Sequence, residues 1–292
     1  MSNLQASTAT RVVMLGTGCP RPDPSRSGPA TAIIVNDTPY LVDFGPGVIR
    51  RATAAFDQGV TALGYGGTNI KTAFLTHMHS DHTVGYPDLI FTAWVMGRRE
   101  PLAVYGPKGI KAMTEHVLKA WEIDVQGRTG GLNQHSLTGW KVVANEIAPG
   151  VVYRDENVTV TAFPARHEEM VDSFSFRFDT ADRSIVISGD TAPTQAMLDH
   201  SRGCHVLVHE AYALAEARGG EKPTPEFRRR HHTSSRELAD IANVLRPDLL
   251  VTYHRPTRDE SASRIDNQDV LVGEIRQTYS GKVVAARDLD IF

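Results

Sequence analysis

A short cluster of histidine and aspartate residues constrains this sequence more than any other feature. The segment His77-Met78-His79-Ser80-Asp81-His82 places four possible metal ligands within six residues, directly after an apolar strand candidate at residues 73–75. Imidazole and carboxylate groups suit zinc and related divalent metals. Chance would produce this ordered set about one time in a thousand, and histidines are seldom clustered without a ligand role. The segment therefore predicts a metal site at the end of a strand.

The overall composition is that of a globular protein with a hydrophobic core. The 292 residues are 41% hydrophobic and 22% charged, which is ordinary for such proteins. No apolar run approaches the roughly 20 residues that a membrane helix needs, so no membrane partner is expected. Residues 1–10 are polar and lack the apolar stretch of a signal peptide. The sequence thus predicts a cytoplasmic protein, although a presequence already removed would leave no trace.

Net charge argues against a nucleic-acid-binding protein, and cysteine content argues against a disulfide-rich protein. The formal net charge is −3, whereas a protein that binds the nucleic-acid backbone needs a concentrated basic face to release counterions. Nucleic acid is therefore expected to be an unlikely partner, and a homodimer is left open. The two cysteines, Cys19 and Cys204, are too few for a disulfide framework and form no CxxC pair.

Short apolar segments of strand length alternate with helical patterns along the whole chain. The strand candidates lie at residues 12–15, 31–35, 40–42, 73–76, 102–105, 158–163, 174–178, 185–188, 206–208 and 249–253. Helical spacing occurs at residues 110–121 and 238–245, and Ser234 with Glu237 predicts a capping box before the second of these helices. Since no repeat or linker interrupts this order, it favours one layered α/β domain over residues 1–292.

Two stretches of weak pattern separate these elements. Residues 126–137 are rich in glycine, and residues 217–231 contain two prolines. Both stretches are interpreted as surface loops.

The sequence resembles the metallo-β-lactamase superfamily, whose signature HxHxDH follows a strand. The segment 77–82 matches this signature, and the segments at 15–18 (LGTG) and 43–45 (DFG) are similar to the early strand-turn elements of the family. Further ligand candidates follow apolar strands in the expected order, namely His167, Asp190 and His254. The resemblance covers residues 12–254 and implies an αββα sandwich, in which two mixed sheets are flanked by helices.

The resemblance also implies how these ligands are shared between two ions. One metal would be held by His77, His79 and His167, and the other by Asp81, His82 and His254. Asp190 would bridge both, because two nearby cations repel and need a shared carboxylate and a shared hydroxide between them. The expected cofactors are two divalent ions, zinc first, with manganese or iron as alternatives.

Two further motifs are similar to the branch that contains ribonuclease Z and the zinc-dependent arylsulfatases. His209-Glu210-Ala211 follows a strand candidate, and His232-Thr233-Ser234 precedes a helix. In that branch the histidine that matches His232 contacts the scissile group and helps to protonate the leaving oxygen. The resemblance implies the same role here, with Glu210 as the residue that orients His232 and His209 as the alternative. His231 is interpreted as a surface neighbour of His232.

The chain departs from ribonuclease Z between the positions of His167 and Asp190. That enzyme carries there a long arm that grips transfer RNA, whereas only 22 residues separate these two positions here. Ser80 stands where ribonuclease Z commonly has glycine and is more similar to the arylsulfatases. The run of arginines at residues 228–230 is interpreted as a solvated loop segment or, alternatively, as an anion clamp near the site.

We therefore expect a metal-dependent hydrolase that acts on the ester of a small molecule. The ester would be an aryl sulfate, a phosphodiester or a carboxylic or lactone ester, attacked by a hydroxide that bridges the metals. Asp81 would both bind metal and orient this nucleophile, and His232 would protonate the departing oxygen. Trp94, Tyr86 and residues 126–137 are candidates for the pocket walls.

Three alternatives are weighed against this expectation. The first is a ribonuclease Z-like endonuclease that processes the 3′ end of transfer RNA. The second is an iron redox protein, which is disfavoured because the flavodiiron proteins of this superfamily use a glutamate where His79 stands. The third, from another class, is a non-catalytic metal-binding protein on the same fold. Such a protein would be expected to lose ligands, and all seven are present.

Overall fold

The structure is a computed structural model that describes residues 10–131, 134–170, 172–215, 224–254 and 268–292. Its strands are β1 (Arg11–Gly16), β2 (Ala30–Val35), β3 (Thr38–Val42), β4 (Thr72–Phe74), β5 (Leu102–Gly106), β6 (Val142–Glu146), β7 (Gly150–Arg154), β8 (Val158–Pro164), β9 (Phe174–Thr180), β10 (Ser184–Ile187), β11 (Val206–Glu210), β12 (Leu249–Tyr253) and β13 (Val283–Ala285). Its α-helices are α1 (Val48–Asp57), α2 (Ser80–Thr83), α3 (Ala93–Val95), α4 (Ile110–Ala120), α5 (Glu122–Gly130), α6 (Gln195–His200), α7 (Pro225–His231), α8 (Ser235–Leu245) and α9 (Gln268–Arg276).

The ten strand candidates of the sequence all coincide with strands, and the predicted capping box of α8 is confirmed. The Ser234 side chain accepts from the backbone of Glu237, whose own side chain accepts from the backbone of Ser234. Strands β6, β7 and β13 were not predicted. β6 and β7 lie largely exposed or half-buried at the sheet edges, so their residues lack the continuous apolar runs that mark the buried strands.

The two predicted loops are partly wrong. Residues 126–130 complete helix α5, and residues 225–231 form helix α7, which the Thr224 side chain caps by accepting from the backbone of Phe227. A proline at the first helical position does not interrupt a helix, because its missing N–H would have no partner there. Residues 132–133 and 217–223 of these predicted loops lie outside the described residues.

Two mixed sheets face each other. The first has the order β1-β2-β3-β4-β5-β6 and the second the order β13-β12-β11-β10-β9-β8-β7. In the first, β1 to β3 pair antiparallel and β3 to β6 pair parallel. In the second, β7 to β10 pair antiparallel and β10 to β13 pair parallel.

Three hydrophobic clusters produce the layers. One cluster lies between the sheets and includes Phe74 of β4, whose ring lies 5.5 Å from that of Phe176 and 5.4 Å from that of Phe178 on β9. A second packs α1 and α4 on the first sheet, and a third packs α6, α8 and α9 on the second. The predicted αββα sandwich is thus confirmed, and the expectation of a single domain over residues 1–292 stays a prediction.

The topology brings polar side chains to one edge of the sandwich. Strands β10, β11 and β12 run parallel, so the residues that follow them meet at the same edge, where catalytic groups of such sheets commonly lie. Strands β4 and β8 end near the same place, because Pro164 at the end of β8 pairs with Phe174 of β9, which donates its backbone N–H to the carbonyl of Thr76 at 2.9 Å. None of the helices among the described residues is long and apolar enough to cross a membrane.

Candidate metal centre

The first group of predicted ligands gathers three histidines and an aspartate from three strand ends. His77 and His79 follow β4, His167 follows β8 and Asp190 follows β10. One ligand atom from each of these four residues lies within 4.8 Å of the others. His79 Nδ1 is 3.0 Å from His77 Nε2 and 3.1 Å from His167 Nε2. Two nitrogens bound to one tetrahedral zinc ion at about 2.0–2.1 Å lie roughly 3.3 Å apart, so this spacing fits a shared cation.

The second group combines the short helix α2 with the end of β12. Asp81 and His82 lie on α2, and His254 follows β12. The Oδ2 atom of Asp81 is 3.0 Å from His254 Nε2 and 3.6 Å from His82 Nε2. All three residues are buried, and their ligand atoms again lie within 4.8 Å of one another.

Asp190 lies between the two groups. Its Oδ2 atom is 3.9 Å from His77 Nε2, and its Oδ1 atom is 3.4 Å from His82 Nε2 and 3.3 Å from His254 Nδ1. His82 Nε2, Asp190 Oδ1 and His254 Nδ1 are buried and make no hydrogen bond with any residue that the structure describes. Buried polar atoms normally have partners, and a cation would satisfy all three.

The electrostatics of the site favour positive charge between these residues. Burial lowers the pKa of His77 well below its usual value and the pKa of His167 to about 4, so both rings are neutral at pH 7, the form that binds metal. Burial opposes the ionisation of Asp190, but His254 and His82 lower its pKa well below the usual range. Burial likewise disfavours charge on His82, but Asp43 and Asp190 raise its pKa well above the usual value.

Asp43 orients His82, a contact that the sequence did not predict. His82 donates from Nδ1 to Asp43 Oδ2 at 2.8 Å. Its Nε2 atom is left to face the carboxylates of Asp81 and Asp190. Asp43 Oδ1 also accepts from the backbone N–H of Thr76 at 2.8 Å. A carboxylate behind a metal-binding histidine fixes the ring and makes it a better ligand. Asp43, the first residue of the strand-turn motif at residues 43–45, therefore orients the ring of His82. No local sequence pattern links these two residues.

Two other histidines are oriented by neutral acceptors. His77 Nδ1 lies 3.0 Å from the hydroxyl oxygen of Thr76, and His167 Nδ1 lies 2.9 Å from the backbone carbonyl of His231. When each Nδ1–H donates to that oxygen, the unprotonated Nε2 faces the first group. The same tautomer therefore suits both rings for metal binding.

Backbone strain is concentrated at the site. Asp43 and His254 have φ angles of 60° and 42°, in the left-handed region that costs other residues than glycine about 1–3 kcal/mol. Gly189, directly before Asp190, has a φ of 60°, and a Cβ there would lie 2.8 Å from Thr76 Cβ. The turn after β10 thus requires glycine to bring Asp190 to its position.

A network from the C-terminal part of the chain holds His254. The backbone N–H of His254 donates to the carbonyl of Thr17 at 3.1 Å. Thr17 in turn donates to Asp288 Oδ1 from its backbone at 2.9 Å and from its hydroxyl at 2.8 Å. Asp288 Oδ2 accepts from the backbone of Ser27 at 2.7 Å and from Arg51 Nε at 3.0 Å. This buried carboxylate fixes both ends of the loop that carries Thr17.

We expect Asp43→Asn to weaken metal binding at the second group by about 10–100-fold, the usual cost of losing a carboxylate behind a histidine ligand. Asparagine tolerates a left-handed backbone, so the turn itself should survive. Titration of the protein against a chromophoric chelator measures both affinities. The matched control is Asp37→Asn, because Asp37 is also left-handed but exposed. Unchanged affinity in Asp43→Asn would contradict the role assigned to Asp43.

His232 and Glu210 form a buried pair beside the metal groups. His232 Nδ1 lies 3.3 Å from Glu210 Oε1, and the His232 ring centre is 5.4 Å from that of His167 and 6.2 Å from that of His254. Glu210 also accepts from the backbones of Thr191 at 3.2 Å and Thr233 at 3.1 Å. Burial alone would lower the pKa of His232, but Glu210 raises it above its usual value. His232 can therefore carry a proton at the site.

Neighbouring histidines depart from the expectations. His231 is buried rather than a surface residue, since its Nδ1 donates to the carbonyl of Phe227 at 2.7 Å and its Nε2 contacts Glu169. His231, Glu168 and Glu169 form a third close group, of which only His231 is buried. His209 Nδ1 donates to the carbonyl of Glu210 at 2.6 Å. Glu210, rather than His209, is thus the residue in contact with His232.

The predicted pocket walls are wrong for both aromatic residues. Trp94 and Tyr86 are fully buried in the cluster between the first sheet and its helices. Trp94 donates from Nε1 to the carbonyl of Ser136 at 2.8 Å, and Tyr86 shares a hydrogen bond of 2.7 Å with Thr114. Both side chains are therefore core residues whose polar atoms have partners.

The fold and the two ligand groups define a member of the β-lactamase superfamily, and a family model described as a beta-lactamase superfamily domain matches residues 38–255. The chain belongs to this family, whose fold implies the binding of divalent metal ions. The chain is 31% identical over 276 residues to ribonuclease Z of Mycolicibacterium gilvum (strain PYR-GCK), covering 88% of this chain and 91% of that protein.

Solved structures agree on the fold. The short form of human tRNase Z (ELAC1) has a TM-score of 0.69 and 20% identity, covering 97% of this chain and 98% of the human chain. The metallo-beta-lactamase fold protein YhfI from Bacillus subtilis has a TM-score of 0.71 and 17% identity, with the same coverage of 97% and 98%. The resemblance inferred from the sequence motifs is confirmed.

One expectation is overturned by the relatives. Nucleic acid was expected to be an unlikely partner, but a relative that spans 88% of the chain is named as a ribonuclease. The net charge of −3 is a sum over the whole surface and does not report the charge around one site. Backbone binding depends on local cations, so the exclusion drawn from net charge was wrong.

Proposed function

We propose that the chain is a metal-dependent ribonuclease of the ribonuclease Z type, which hydrolyses a phosphodiester bond of precursor transfer RNA. The observation that carries the proposal is the 31% identity with a named ribonuclease Z across 88% of the chain. The family match at residues 38–255 spans all seven predicted ligands. These relatives support the tRNA alternative better than the expectation of a small-molecule ester.

We infer that two divalent ions are held by the two groups. His77, His79 and His167 would hold the first ion, Asp81, His82 and His254 the second, and Asp190 would contact both. The donor set supports zinc, with manganese and iron as alternatives, because imidazole and carboxylate ligands suit all three. The distances of 3.0–3.1 Å between the histidine nitrogens of the first group support one ion shared by His77, His79 and His167.

The ions, when bound, supply Lewis acidity, which makes bound water acidic near pH 7 and neutralises charge on the phosphate. The residues of the chain have separate tasks around them. Asp81 belongs to the second group and can also accept a hydrogen bond that orients water. His77, His82 and His254 are fully buried, and electrostatic interactions are stronger where bulk water has no access.

His232 is proposed to protonate the departing ribose oxygen. Glu210 accepts from Nδ1 at 3.3 Å, so the proton available for transfer is on Nε2. The raised pKa of His232 keeps that proton in place near neutral pH. A ribose alkoxide is a poor leaving group, and a positioned general acid typically contributes about 10²–10⁴-fold to the rate of such a step.

A substrate comparison tests the proposal. Precursor tRNA, methyl nitrophenyl phosphate, nitrophenyl sulfate and a simple lactone are offered to the same metal-loaded protein. We expect the highest kcat/KM for precursor tRNA, with a value that falls as salt rises because phosphate contacts release counterions. A lactone or sulfate hydrolysed faster than the RNA would instead favour a small-molecule esterase. No detectable hydrolysis of any of the four substrates would favour a non-catalytic binding protein.

A further inference from the structure

Helix α7 (Pro225–His231) ends directly at the proposed general acid. Its last residue, His231, accepts at its carbonyl from His167 Nδ1 at 2.9 Å, and His232 donates its backbone N–H to the carbonyl of Arg228 at 2.8 Å. The Phe227 ring lies 6.3 Å from the ring of His232. The C-terminal end of α7 therefore adjoins both the first ligand group and His232.

Three consecutive arginines on α7 differ in their pairing. Arg230 is neutralised by Glu168 at 3.1 Å and by Glu226 at 2.6 Å. Arg229 is exposed and makes no hydrogen bond or ion pair with any part of the chain that the structure describes. Arg229 is thus a cation left available to a ligand on a helix that ends at the site.

Arg228 adds a second positive charge on α7, and this one is buried. Its residue is only 4% exposed, and its guanidinium lies 5.6 Å from the centre of the Tyr212 ring. Its Nε atom has no hydrogen-bond partner within the described ranges. A buried cation is poorly screened by solvent, so Arg228 raises the electrostatic potential at this end of α7.

Phe227 supplies an aromatic surface next to these charges. Phe227 is 39% exposed, whereas a phenylalanine in a hydrophobic core would be buried. One face of the ring stacks on His231, with the centres 3.9 Å apart and the planes 15° apart. Cations beside an exposed aromatic ring are a combination that binds single-stranded nucleic acid, because bases stack on the ring while phosphates pair with the cations.

We propose that α7 binds the RNA nucleotide adjacent to the scissile phosphodiester, with Phe227 stacking its base and Arg229 pairing with its phosphate. The proposal rests on the proposed function and names the part of the surface that holds the RNA strand. It commits to single-stranded RNA, because a small ester offers no second phosphate to Arg229 and no base to Phe227. Arg229 is a cation that the carboxylates of Glu168 and Glu226 do not pair with, and it can contact a phosphate even though the chain carries a net negative charge.

The test is single-turnover cleavage of precursor tRNA by wild-type protein and two variants. Phe227→Ala should raise the half-saturating protein concentration by about 5- to 150-fold, the range for loss of one base–aromatic stack. Arg229→Gln should lower the slope of log affinity against log salt by about 1. A second RNA carries an abasic nucleotide on one side of the cleavage site, and a third carries it on the other. One of these abasic RNAs should bind wild-type protein as weakly as Phe227→Ala binds intact RNA.

The abasic RNAs separate base stacking from a general weakening of α7. Phe227→Ala should bind intact and abasic RNA equally, whereas a merely structural loss would preserve the wild-type preference for the intact RNA. The control for charge is Arg202→Gln, since Arg202 is 68% exposed, forms an ion pair with the exposed Asp199 and lies before β11, at the end opposite Glu210. This control should keep the wild-type salt slope.

The outcomes distinguish the two proposals. If wild-type protein cleaves RNA, but both variants match it in affinity and salt slope, the proposal for α7 is overturned and the proposed function stands. If wild-type protein hydrolyses methyl nitrophenyl phosphate but no RNA, the proposed function fails, and α7 has no RNA to bind. Metal content measured in every sample should be equal, because neither Phe227 nor Arg229 belongs to the ligand groups.

Discussion

Asp190→Ala is expected to remove bound metal and hydrolytic activity together. Asp190 lies between the two groups, with Oδ1 3.4 Å from His82 Nε2 and 3.3 Å from His254 Nδ1. Loss of a residue that only orients a ligand costs about 10–100-fold in metal affinity or activity. Loss of the shared carboxylate should therefore cost more than about 100-fold in both. Elemental analysis and kcat/KM on one phosphodiester, measured on the same samples, give the two quantities.

The matched control is Asp199→Ala, which removes a carboxylate that is 54% exposed on α6. This variant should keep the metal content and activity of the wild type. An Asp190→Ala protein that retained both ions would show that Asp190 is no ligand. Wild-type protein fully active with one tightly bound ion per chain would contradict the proposal of two ions.

His232→Ala should slow the cleavage of a bond with a poor leaving group by about 10²–10⁴-fold. The physical reason is that a ribose alkoxide needs a proton as it departs, whereas a nitrophenolate leaves readily without one. Release of nitrophenolate from methyl nitrophenyl phosphate should therefore be slowed much less. The ratio of the two losses in kcat/KM isolates the proton transfer from general damage.

Metal content must stay unchanged in His232→Ala for this interpretation to hold. His116→Ala serves as the matched control, because His116 is an exposed histidine of α4. Equal losses on both substrates would count against the acid role and would favour a packing role for His232. A loss of metal would instead place His232 among the ligands.

The sequence revealed the candidate ligands more readily than the residues that orient them. His77 to His82 form one local motif, and His167, Asp190 and His254 each follow an apolar strand. Strand ends of this kind can be recognised locally, and the order of parallel strands brings them together. The contact of Asp43 with His82 spans 39 positions, and no periodicity in the sequence links two such residues.

Other misses have equally physical causes. Trp94 and Tyr86 were predicted to line the pocket, but tertiary packing buries both side chains and gives their polar atoms internal partners. Helix α7 was interpreted as part of a loop because the stretch at residues 217–231 contains two prolines. Seven residues give too few turns for an apolar periodicity to emerge. The buried position of His231 depends on the same helix and could not be predicted without it.

The network around Asp288 has a consequence for how the protein acquires its site during synthesis. Asp288 fixes Thr17, a residue 271 positions earlier in the chain, and Thr17 holds the backbone of His254. Residues of the first ligand group up to Asp190 leave the ribosome well before Asp288 does. While residue 288 is still inside the ribosome, His254 therefore lacks the support that Asp288 gives it through Thr17.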